Sequence, residues 1–406
     1  MTDLILPTPS PMIEHFALDP EVVYLNHGSF GACPKIVLEA QRGYRDRVEA
    51  DAMRFYIHDL WGLIDRSREA LGSVVGAQAK DIVFVNNATG AVATVLDNLA
   101  LEPGDELVVT SRAYQACRNN FERVADRAGA KVIVADLPWE GIDEDSTADA
   151  IMGKVTSRTK LVMVSLITSA TAIRLPIERL IQELAARGIE TLLDAAHGPG
   201  CVAMEVDQWG AAYTTGNAHK WLCNPKGCAF LHVRADLQVG FRPLVLSNDA
   251  HDLASGCERT GRSVFNHEFD YAGTDDRTAA LTVVDSIAFL ESLELAGFGT
   301  GINAMMAHNR ALCIEARDLL CSMFGTTPIV PDSMLGPLAT INIPAPGMDP
   351  KALRARLFDR YRIEAMIVPS PTGKYPMVRV SPQVYNAIEQ YRYLGEAILD
   401  AVAAGM

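Results

Sequence analysis

The sequence has no long apolar run free of charge, although 49% of its 406 residues are hydrophobic, so it predicts no membrane-spanning helix. Basic residues are also scarce: 36 lysines and arginines stand against 50 aspartates and glutamates, and the formal net charge is −14. A nucleic-acid-binding protein needs a basic surface, so we expect no nucleic-acid partner and no membrane. The start, MTDLILPTPSPMIEH, has an acid where a signal peptide carries bases, and we expect a cytoplasmic protein.

The cysteines show no pattern of a metal centre or of a disulfide framework. All eight are scattered along the chain, and no CxxC pair occurs. A zinc site normally needs paired ligands, and disulfides belong mainly to exported proteins. We therefore predict reduced thiols and no metal.

From about residue 80 the sequence alternates short β-rich runs with helical stretches. Several runs are apolar throughout, which is typical of strands buried on both faces of a sheet. The runs are IVFV (82–85), ELVVT (106–110), KVIVAD (131–136), KLVMVSLI (160–167), ETLLDAA (190–196), AAYTTG (211–216) and CAFLHV (228–233). Helical patterns such as IERLIQELAARG lie between them. This alternation predicts a doubly wound α/β sheet.

After about residue 285 the pattern changes. SIAFLESLELAGF (286–298) and HNRALCIEARDLLCSMF (308–324) predict long helices, and ATINIPA, MIVPS and MVRVSP predict short strands. We therefore predict three parts: an N-terminal arm over residues 1–30, a large domain over 31–285 and a smaller α+β domain over 286–406.

The first candidate site residue is Lys220, in TTGNAHKWLCNPKG (214–227). It follows a β-run and is flanked by Gly216, Trp221 and Pro225. A lysine held in a tight, partly apolar loop has a lowered pKa, which suits Schiff-base chemistry. The alternative is an ordinary loop lysine that caps a helix or meets solvent.

The second candidate is Asp194, in LLDAAHGPG (192–200), where it ends a buried run. Ligands of open α/β sheets bind beyond the carboxyl ends of strands, and a buried carboxylate there needs a partner such as a protonated ring nitrogen. Asp194 could instead be a helix N-cap. A metal pair with His197, three residues on, is a further alternative, although no cluster with ligand spacing follows.

The third candidate is the turn in VNNATGAVATVL (85–96), where Thr89 and Gly90 open an apolar helix. Free N–H groups at a helix start bind phosphate well. The turn matches neither the P-loop pattern nor the dinucleotide fingerprint GxGxxG. Taken alone, it could be an ordinary capped helix.

The three candidates together predict more than each does alone. A phosphate-binding turn, a strand-end aspartate and a loop lysine follow one another, each just after a strand. Pyridoxal 5′-phosphate needs these three partners: a helix start for its phosphate, an acid for its ring nitrogen and a lysine for its carbonyl carbon. The sequence therefore predicts a pyridoxal 5′-phosphate site.

The chain also resembles fold-type I pyridoxal-phosphate enzymes of the class V aminotransferase group, and within it the isopenicillin N epimerase-like family. The matching motifs are YLNHGSFGACPK (24–35), NNATGAVATVL (86–96), GNAHKWLCNPKG (216–227), YAGTDD (271–276) and VRVSPQVYN (378–386). The resemblance implies a large, doubly wound domain with a seven-stranded, mostly parallel sheet and a smaller C-terminal α+β domain.

The resemblance implies roles around the cofactor ring. Lys220 would form the Schiff base and shuttle the proton at the substrate α-carbon. Asp194 would keep the ring nitrogen protonated. His197 and Ser169 would lie near the phenolic oxygen.

It also implies residues for the cofactor phosphate. Ala88 and Thr89 would hold it through the helix start, helped by Asn217 and His219. Thr274 would reach the phosphate of a neighbouring subunit, which predicts a homodimer with shared active sites.

For the substrate, Arg379 would clamp the α-carboxylate, and Asn26 would approach it from the N-terminal arm. The segment TSRAYQACRN departs from the family, because Arg112 stands where a histidine is usual. We expect Tyr114 to cover the ring, with Arg112 as the alternative. Arg112 could instead bind an acidic group of the substrate.

These features predict an enzyme that acts on an amino acid by epimerase, racemase or C–S β-lyase chemistry. A class V aminotransferase or a cysteine desulfurase-like activity is the alternative, with Cys257 as the one loop cysteine to consider as a sulfur nucleophile. Two readings from other classes remain: a catalytically silent partner protein, and a metal hydrolase built on Asp194, His197 and His219.

Overall fold

The computed structural model of the protein describes residues 6–404. The first five residues of the predicted arm lie outside this range. The strands are β1 Val23–Tyr24, β2 Ile82–Val85, β3 Glu106–Thr110, β4 Lys131–Ala135, β5 Thr159–Ser165, β6 Glu190–Asp194, β7 Tyr213–Asn217, β8 Ala229–Val233, β9 Glu294–Leu295, β10 Gly299–Thr300, β11 Ala339–Asn342, β12 Ile363–Glu364, β13 Met366–Pro369 and β14 Pro376–Val380.

Helices cover the sheets and connect their strands. The α-helices are α1 His27–Phe30, α2 Lys35–Ala50, α3 Ala52–Arg54, α4 Leu60–Val75, α5 Ala88–Asp97, α6 Gln115–Ala128, α7 Glu144–Met152, α8 Ile177–Ala185, α9 Val206–Trp209, α10 Leu253–Thr260, α11 Val264–Asp270, α12 Thr278–Leu281, α13 Val283–Glu291, α14 Ile302–Phe324, α15 Pro350–Tyr361 and α16 Ile388–Ala403. A π-helical turn, Phe55–Asp59, joins α3 to α4. Short 3-10 helices span Pro11–His15, Ala79–Asp81, Ala235–Leu237, Asn248–His251 and Asp332–Met334. Across residues 6–404, no helix is long and apolar enough to cross a membrane.

A seven-stranded sheet with the order β2-β8-β7-β6-β5-β3-β4 forms the centre of the molecule. Strand β8 runs antiparallel to both neighbours, and the other pairs are parallel. Apolar side chains on the two faces of this sheet belong to two separate buried clusters. Several of the strands are largely apolar, as expected where both faces of a sheet are covered. The predicted α/β fold with a seven-stranded, mostly parallel sheet is therefore confirmed.

A second sheet lies in the C-terminal part of the chain. It has three antiparallel strands in the order β11-β14-β13, and Arg379 stands on its central strand, opposite Thr340 and Met366. The N-terminal residues join this part, because β1 pairs in parallel with β12. The predicted domain limits at residues 30 and 285 stay a prediction.

One predicted helix is shorter than expected. The apolar pattern over 286–298 predicts a single helix, but α13 ends at Glu291, and β9 then pairs with β10 in a hairpin. Gly297 lies in the turn between these strands with a φ angle of 80°, and Gly299 begins β10 with a φ angle of 98°. A helix interior does not contain such residues, so the turn excludes the predicted single helix through residue 298.

Candidate active site

A cavity of about 560 Å³ opens at the carboxyl ends of β2, β5, β6 and β7 and is closed on one side by the three-stranded sheet. This volume lies within the usual range for small-molecule sites. Eleven of the residues predicted from the sequence line it: Asn26, Ala88, Thr89, Tyr114, Ser169, Asp194, His197, Asn217, His219, Lys220 and Arg379. Their individual roles stay predictions.

Strand register brings the three sequence motifs together. Val85 at the end of β2 and Asn217 at the end of β7 both pair with Ala229 of β8, so the two ends are level. The Oδ1 atom of Asn217 consequently accepts a hydrogen bond from the backbone N–H of Ala88, at 3.0 Å. The start of α5 is thereby tied to the strand that precedes Lys220.

Two asparagine side chains, Asn217 and Asn87, hold the start of α5. Asn87 caps the helix, and its Oδ1 atom accepts from the N–H of Gly90 at 2.8 Å. Thr89, between the two, lines the cavity. His219 faces the same space, and its Nδ1 atom lies 2.8 Å from the carbonyl oxygen of Cys228. Burial lowers the pKa of His219 to about 4, so the ring is neutral and its Nδ1–H donates to that carbonyl.

The amine of Lys220 lies beside a histidine whose tautomer is determined. The indole N–H of Trp221 donates to Nδ1 of His197 at 3.2 Å. Burial holds the pKa of His197 well below its usual value, so the neutral ring carries its proton on Nε2. That Nε2 lies 3.3 Å from Nζ of Lys220. The lysine can accept this hydrogen bond when its amine is neutral.

The pKa of Lys220 is lowered toward this neutral form. Burial is the main cause that lowers it from 10.5 to about 8, and the positive charge of Arg379 adds to the effect. Asp194 opposes the shift, because its negative charge favours the ammonium form. The result is an amine that changes its protonation state close to neutral pH.

Asp194 ends β6 between Ser165 of β5 and Thr215 of β7, in register with both. Its residue exposure is 6%, and its Oδ1 atom accepts from the N–H of Ala196 at 3.0 Å. Burial raises its pKa, because a carboxylate removed from water is costly. A cationic ring nitrogen would restore the charged form.

Arg379 is a buried cation that is bonded only to neutral groups. Its residue exposure is 1%. Nη1 donates to the carbonyl oxygen of Ser169 at 2.5 Å, and Nη2 donates to Oγ of Ser29 at 2.9 Å and to Oδ1 of Asn26 at 3.2 Å. Its Nε–H has no partner among the described residues.

The electrostatics of Arg379 point to an anionic ligand. Burial lowers its pKa to about 10, and no ion pair within residues 6–404 includes it. Removing a guanidinium from water without a counter-ion is strongly unfavourable. A carboxylate in the cavity would supply the missing charge.

Two residues near the N-terminus, His27 and Gly31, contact the backbone of His219 and Lys220. Nδ1 of His27 lies 2.8 Å from the hydroxyl of Tyr385, and Nε2 lies 3.0 Å from the carbonyl oxygen of Lys220. Four residues on, the backbone of Gly31 passes against the same loop. Its φ angle is +71°, and a Cβ atom there would lie 2.3 Å from the carbonyl oxygen of His219. Only glycine permits this approach.

Two predicted residues lie outside the cavity wall. Nη2 of Arg112 donates to the carbonyl oxygen of Leu137 at 3.2 Å, and its guanidinium lies over the ring of Trp139 at 5.5 Å. Tyr114 lines the cavity, and its predicted role in covering the ring stays a prediction. Thr274 is exposed, and its hydroxyl lies 3.2 Å from that of Tyr271. Its predicted role in a neighbouring subunit stays a prediction.

One local prediction is wrong. Cys257 was expected in a loop but lies inside helix α10, because Asp252 caps this helix through the N–H of Ser255 and Gly261 ends it. Cys117 is the cysteine that lines the cavity. It is buried on α6, and burial raises the pKa of its thiol, so neither cysteine is a mobile, activated nucleophile.

Other residues of the wall were missed from the sequence. Ser29 belongs to the quoted NHGSFG segment and could have been found there. Arg354 and Met366 come from α15 and β13, and no local pattern marks them. Phe30 is an exposed aromatic residue at the same cavity.

The arrangement fits pyridoxal 5′-phosphate better than a metal. Within residues 6–404 no three His, Cys, Asp or Glu side chains form a metal-binding group, and both ring nitrogens of His197 are already engaged. Asp194, the amine of Lys220 and the start of α5 instead match the ring nitrogen, the carbonyl carbon and the phosphate of the cofactor.

Comparisons with known proteins agree with this chemistry. The sequence model of the family "Aminotransferase class-V" matches residues 23–390. Isopenicillin N epimerase of Streptomyces clavuligerus is 32% identical over 95% of this chain and 96% of its own length. A probable L-cysteine desulfhydrase of Arabidopsis thaliana is 30% identical over 95% of this chain and 84% of its own. A solved structure of a C-DES mutant with glycine covalently linked to its PLP cofactor superposes with a TM-score of 0.80 at 17% identity, over 96% of this chain and 100% of that one.

Proposed function

Because the chain belongs to the class V aminotransferase family, we propose that it is a pyridoxal 5′-phosphate-dependent enzyme that removes the α-proton of an amino acid, with epimerisation or C–S bond cleavage as the outcome. The predicted family, cofactor and enzyme class are confirmed by the family match and by relatives named epimerase and desulfhydrase.

One observation carries the proposal: an amine with a lowered pKa, a buried carboxylate and an unpaired buried guanidinium face the same cavity. Lys220 and Asp194 occur at neighbouring strand ends, and Arg379 lies across from them on the second sheet. A cofactor and an amino acid substrate together offer the groups that these three side chains need.

The cofactor, when bound, supplies an electron-withdrawing ring that stabilises negative charge at the α-carbon. Asp194 would hold the ring nitrogen, and the Nε2–H of His197 would face the phenolic oxygen. Ala88, Thr89 and His219 would hold the phosphate.

The remaining side chains would hold the substrate and move its proton. Arg379 would bind the α-carboxylate and thereby fix the orientation of the α-carbon. Lys220, with a pKa of about 8, can accept the α-proton and return it near neutral pH.

The relatives do not decide between the two outcomes, since both begin with loss of the α-proton. Return of the proton on the other face gives the epimer. Loss of a sulfur substituent from the β-carbon instead gives the product of C–S cleavage, which is the reaction of a lyase. Desulfurase-like chemistry is less well supported, because Cys257 is helical and Cys117 is buried.

A homodimer with shared active sites in the cytoplasm completes the proposal. Three consecutive apolar residues, Leu244, Val245 and Leu246, are exposed, and Thr274 is exposed as well. Both surfaces are available for contact with a second subunit. Light scattering of the purified protein would give its mass. If it is a dimer, Thr274→Ala should weaken cofactor binding, whereas a monomer would remove this part of the proposal.

The test of the function is the near-visible absorption spectrum of the purified, cofactor-treated protein, with Lys220→Ala alongside. We expect a yellow band that L- and D-amino acids shift and that the variant lacks or alters. Chiral chromatography of the products then detects epimerisation, and a sulfide assay detects C–S bond cleavage. No band after addition of pyridoxal 5′-phosphate would overturn the proposal.

A further inference from the structure

A second arginine faces the cavity that holds Arg379. Arg354 lies on α15 and lines the cavity wall. Its side chain is 53% exposed, whereas Arg379 is buried. The cavity therefore has one guanidinium at its inner end and another where it meets solvent.

The two arginines are connected by a continuous chain of hydrogen bonds. Asn26 accepts from Nη2 of Arg379 with its Oδ1 atom at 3.2 Å. Its Nδ2 atom donates to Oε1 of Glu364 at 3.3 Å, and the same Oε1 accepts from Nη2 of Arg354 at 2.8 Å. Glu364 is itself positioned on β12, which pairs with β1. The position of Arg354 relative to Arg379 is therefore set by the fold.

The ion pair with Glu364 leaves Arg354 able to bind an anion. Among the described residues, Nη2 is the one nitrogen of Arg354 with a hydrogen-bond partner, and a guanidinium has five N–H donors. An ion pair this exposed contributes little to stability. At the rim of the cavity, this pairing holds the guanidinium in place and leaves its other N–H groups available for a ligand.

Apolar side chains lie in the same wall as the two arginines. Met366 of β13 pairs with Arg379 across the small sheet, and Phe30 is 70% exposed. Both line the cavity with Arg354. These surfaces suit methylene or thioether groups of a substrate side chain.

We propose that Arg354 binds a carboxylate at the end of the substrate's side chain, so that the substrate is an amino acid with a distal acid group. This inference rests on the proposed function and names its substrate class. It moves the predicted recognition of an acidic group from Arg112, which lies over Trp139 outside the cavity wall, to a residue that the sequence did not indicate.

The test uses the cofactor-loaded protein and equilibrium absorption titrations, which report binding without turnover. Matched ligands are L-glutamate against L-glutamine and L-aspartate against L-asparagine. We expect at least one acid to bind about tenfold or more tightly than its amide, as a charge-assisted hydrogen bond allows. Arg354→Gln should abolish this preference, and Arg354→Lys should keep part of it.

The chain offers a matched control on the same helix. Arg360 also lies on α15, is 59% exposed and pairs with Asp400 at 3.6 Å. Arg360→Gln should leave the preference unchanged. If no acid is preferred, or if the preference survives in Arg354→Gln, the inference is wrong although the proposed function stands.

A second measurement distinguishes failure of the Arg354 inference from failure of the proposed function. Calorimetry with succinate, glutarate and adipate, against butyrate, measures binding between the arginines without an amino group. We expect at least one dicarboxylate to bind more tightly than butyrate, and Arg354→Gln to remove the difference. If no amino acid changes the spectrum, the proposed function fails, and the calorimetric difference alone then supports or overturns the role of Arg354.

Discussion

The Nε2 atom of His197 lies 3.3 Å from Nζ of Lys220, and this contact favours the neutral form of the lysine. The indole of Trp221 donates to the other ring nitrogen, so Nε2 of His197 carries the proton and can donate to Lys220 when its amine is neutral. A neutral lysine is the form that can react with a carbonyl carbon. The indole of Trp221 thus acts on the lysine through the histidine, as a positioning group.

The first prediction concerns this positioning group. Trp221→Phe keeps an aromatic ring but removes the N–H donor, so His197 can adopt either tautomer. We expect the pKa of the lysine-linked absorption band to shift and activity to fall about tenfold, with a loss of about 1–3 kcal/mol in unfolding free energy. Absorption titration against pH and thermal unfolding would measure these effects.

The control for that prediction is Trp209→Phe. Trp209 is also buried but lies at the end of α9, away from the cavity. The Trp209→Phe variant should have a lower unfolding free energy but an unchanged pKa of the lysine-linked absorption band. A shift of equal size in both variants would contradict a specific role for Trp221.

The second prediction concerns the pH dependence of apoprotein stability. Lys220 has a pKa of about 8 in the fold against 10.5 in the unfolded chain, so the unfolded chain binds more protons between these values. The contribution of Lys220 to stability therefore rises with pH from about 8 to about 10.5. Lys220→Met should be more stable than the parent at pH 7, with a gap that narrows across this window.

Thermal unfolding of both apoproteins from pH 7 to pH 10.5 would check this. The exposed Lys160, which lies 3.7 Å from Asp105, provides the control variant Lys160→Met. A stability gap for Lys220→Met that stays constant with pH would show that the lysine titrates normally.

The third prediction concerns Arg379. Arg379→Met removes the buried cation, and we expect binding of L-alanine by the cofactor-loaded protein to weaken about 100-fold or more. Ethylamine, which has no carboxylate, should bind equally to both proteins. Absorption titrations measure both ligands, and an equal loss for the two would mean that Arg379 supports the cavity without contacting the carboxylate.

The fourth prediction concerns His27, which contacts both Tyr385 and the backbone of Lys220. Burial lowers its pKa to about 3, so it acts as a neutral ring. His27→Ala leaves buried hydrogen-bonding groups unpaired and should cost about 2–4 kcal/mol of unfolding free energy. Denaturant titration would measure this, and the part-exposed His308→Ala should cost much less.

Much of the fold and site could be predicted because the signals are local. The strand pattern is a property of consecutive residues, and all seven predicted runs became strands of the large sheet. The carboxyl ends of parallel strands meet at one edge, so Asp194, Asn217 and Lys220 were placed near one another by topology. The resemblance supplied Arg379 and Asn26, which are distant from Lys220 in sequence.

The sequence by itself determined the family, the cofactor and the residues that lie in its motifs, since each motif combines local backbone geometry with the chemical groups that act there. Only the tertiary structure decided which way the remaining side chains face. The guanidinium of Arg112 lies over the ring of Trp139, outside the cavity wall, and Arg354 lies at the cavity beside Glu364 of β12, which pairs with β1. Such placements depend on packing between segments that are not neighbours in sequence, and no local pattern contains them.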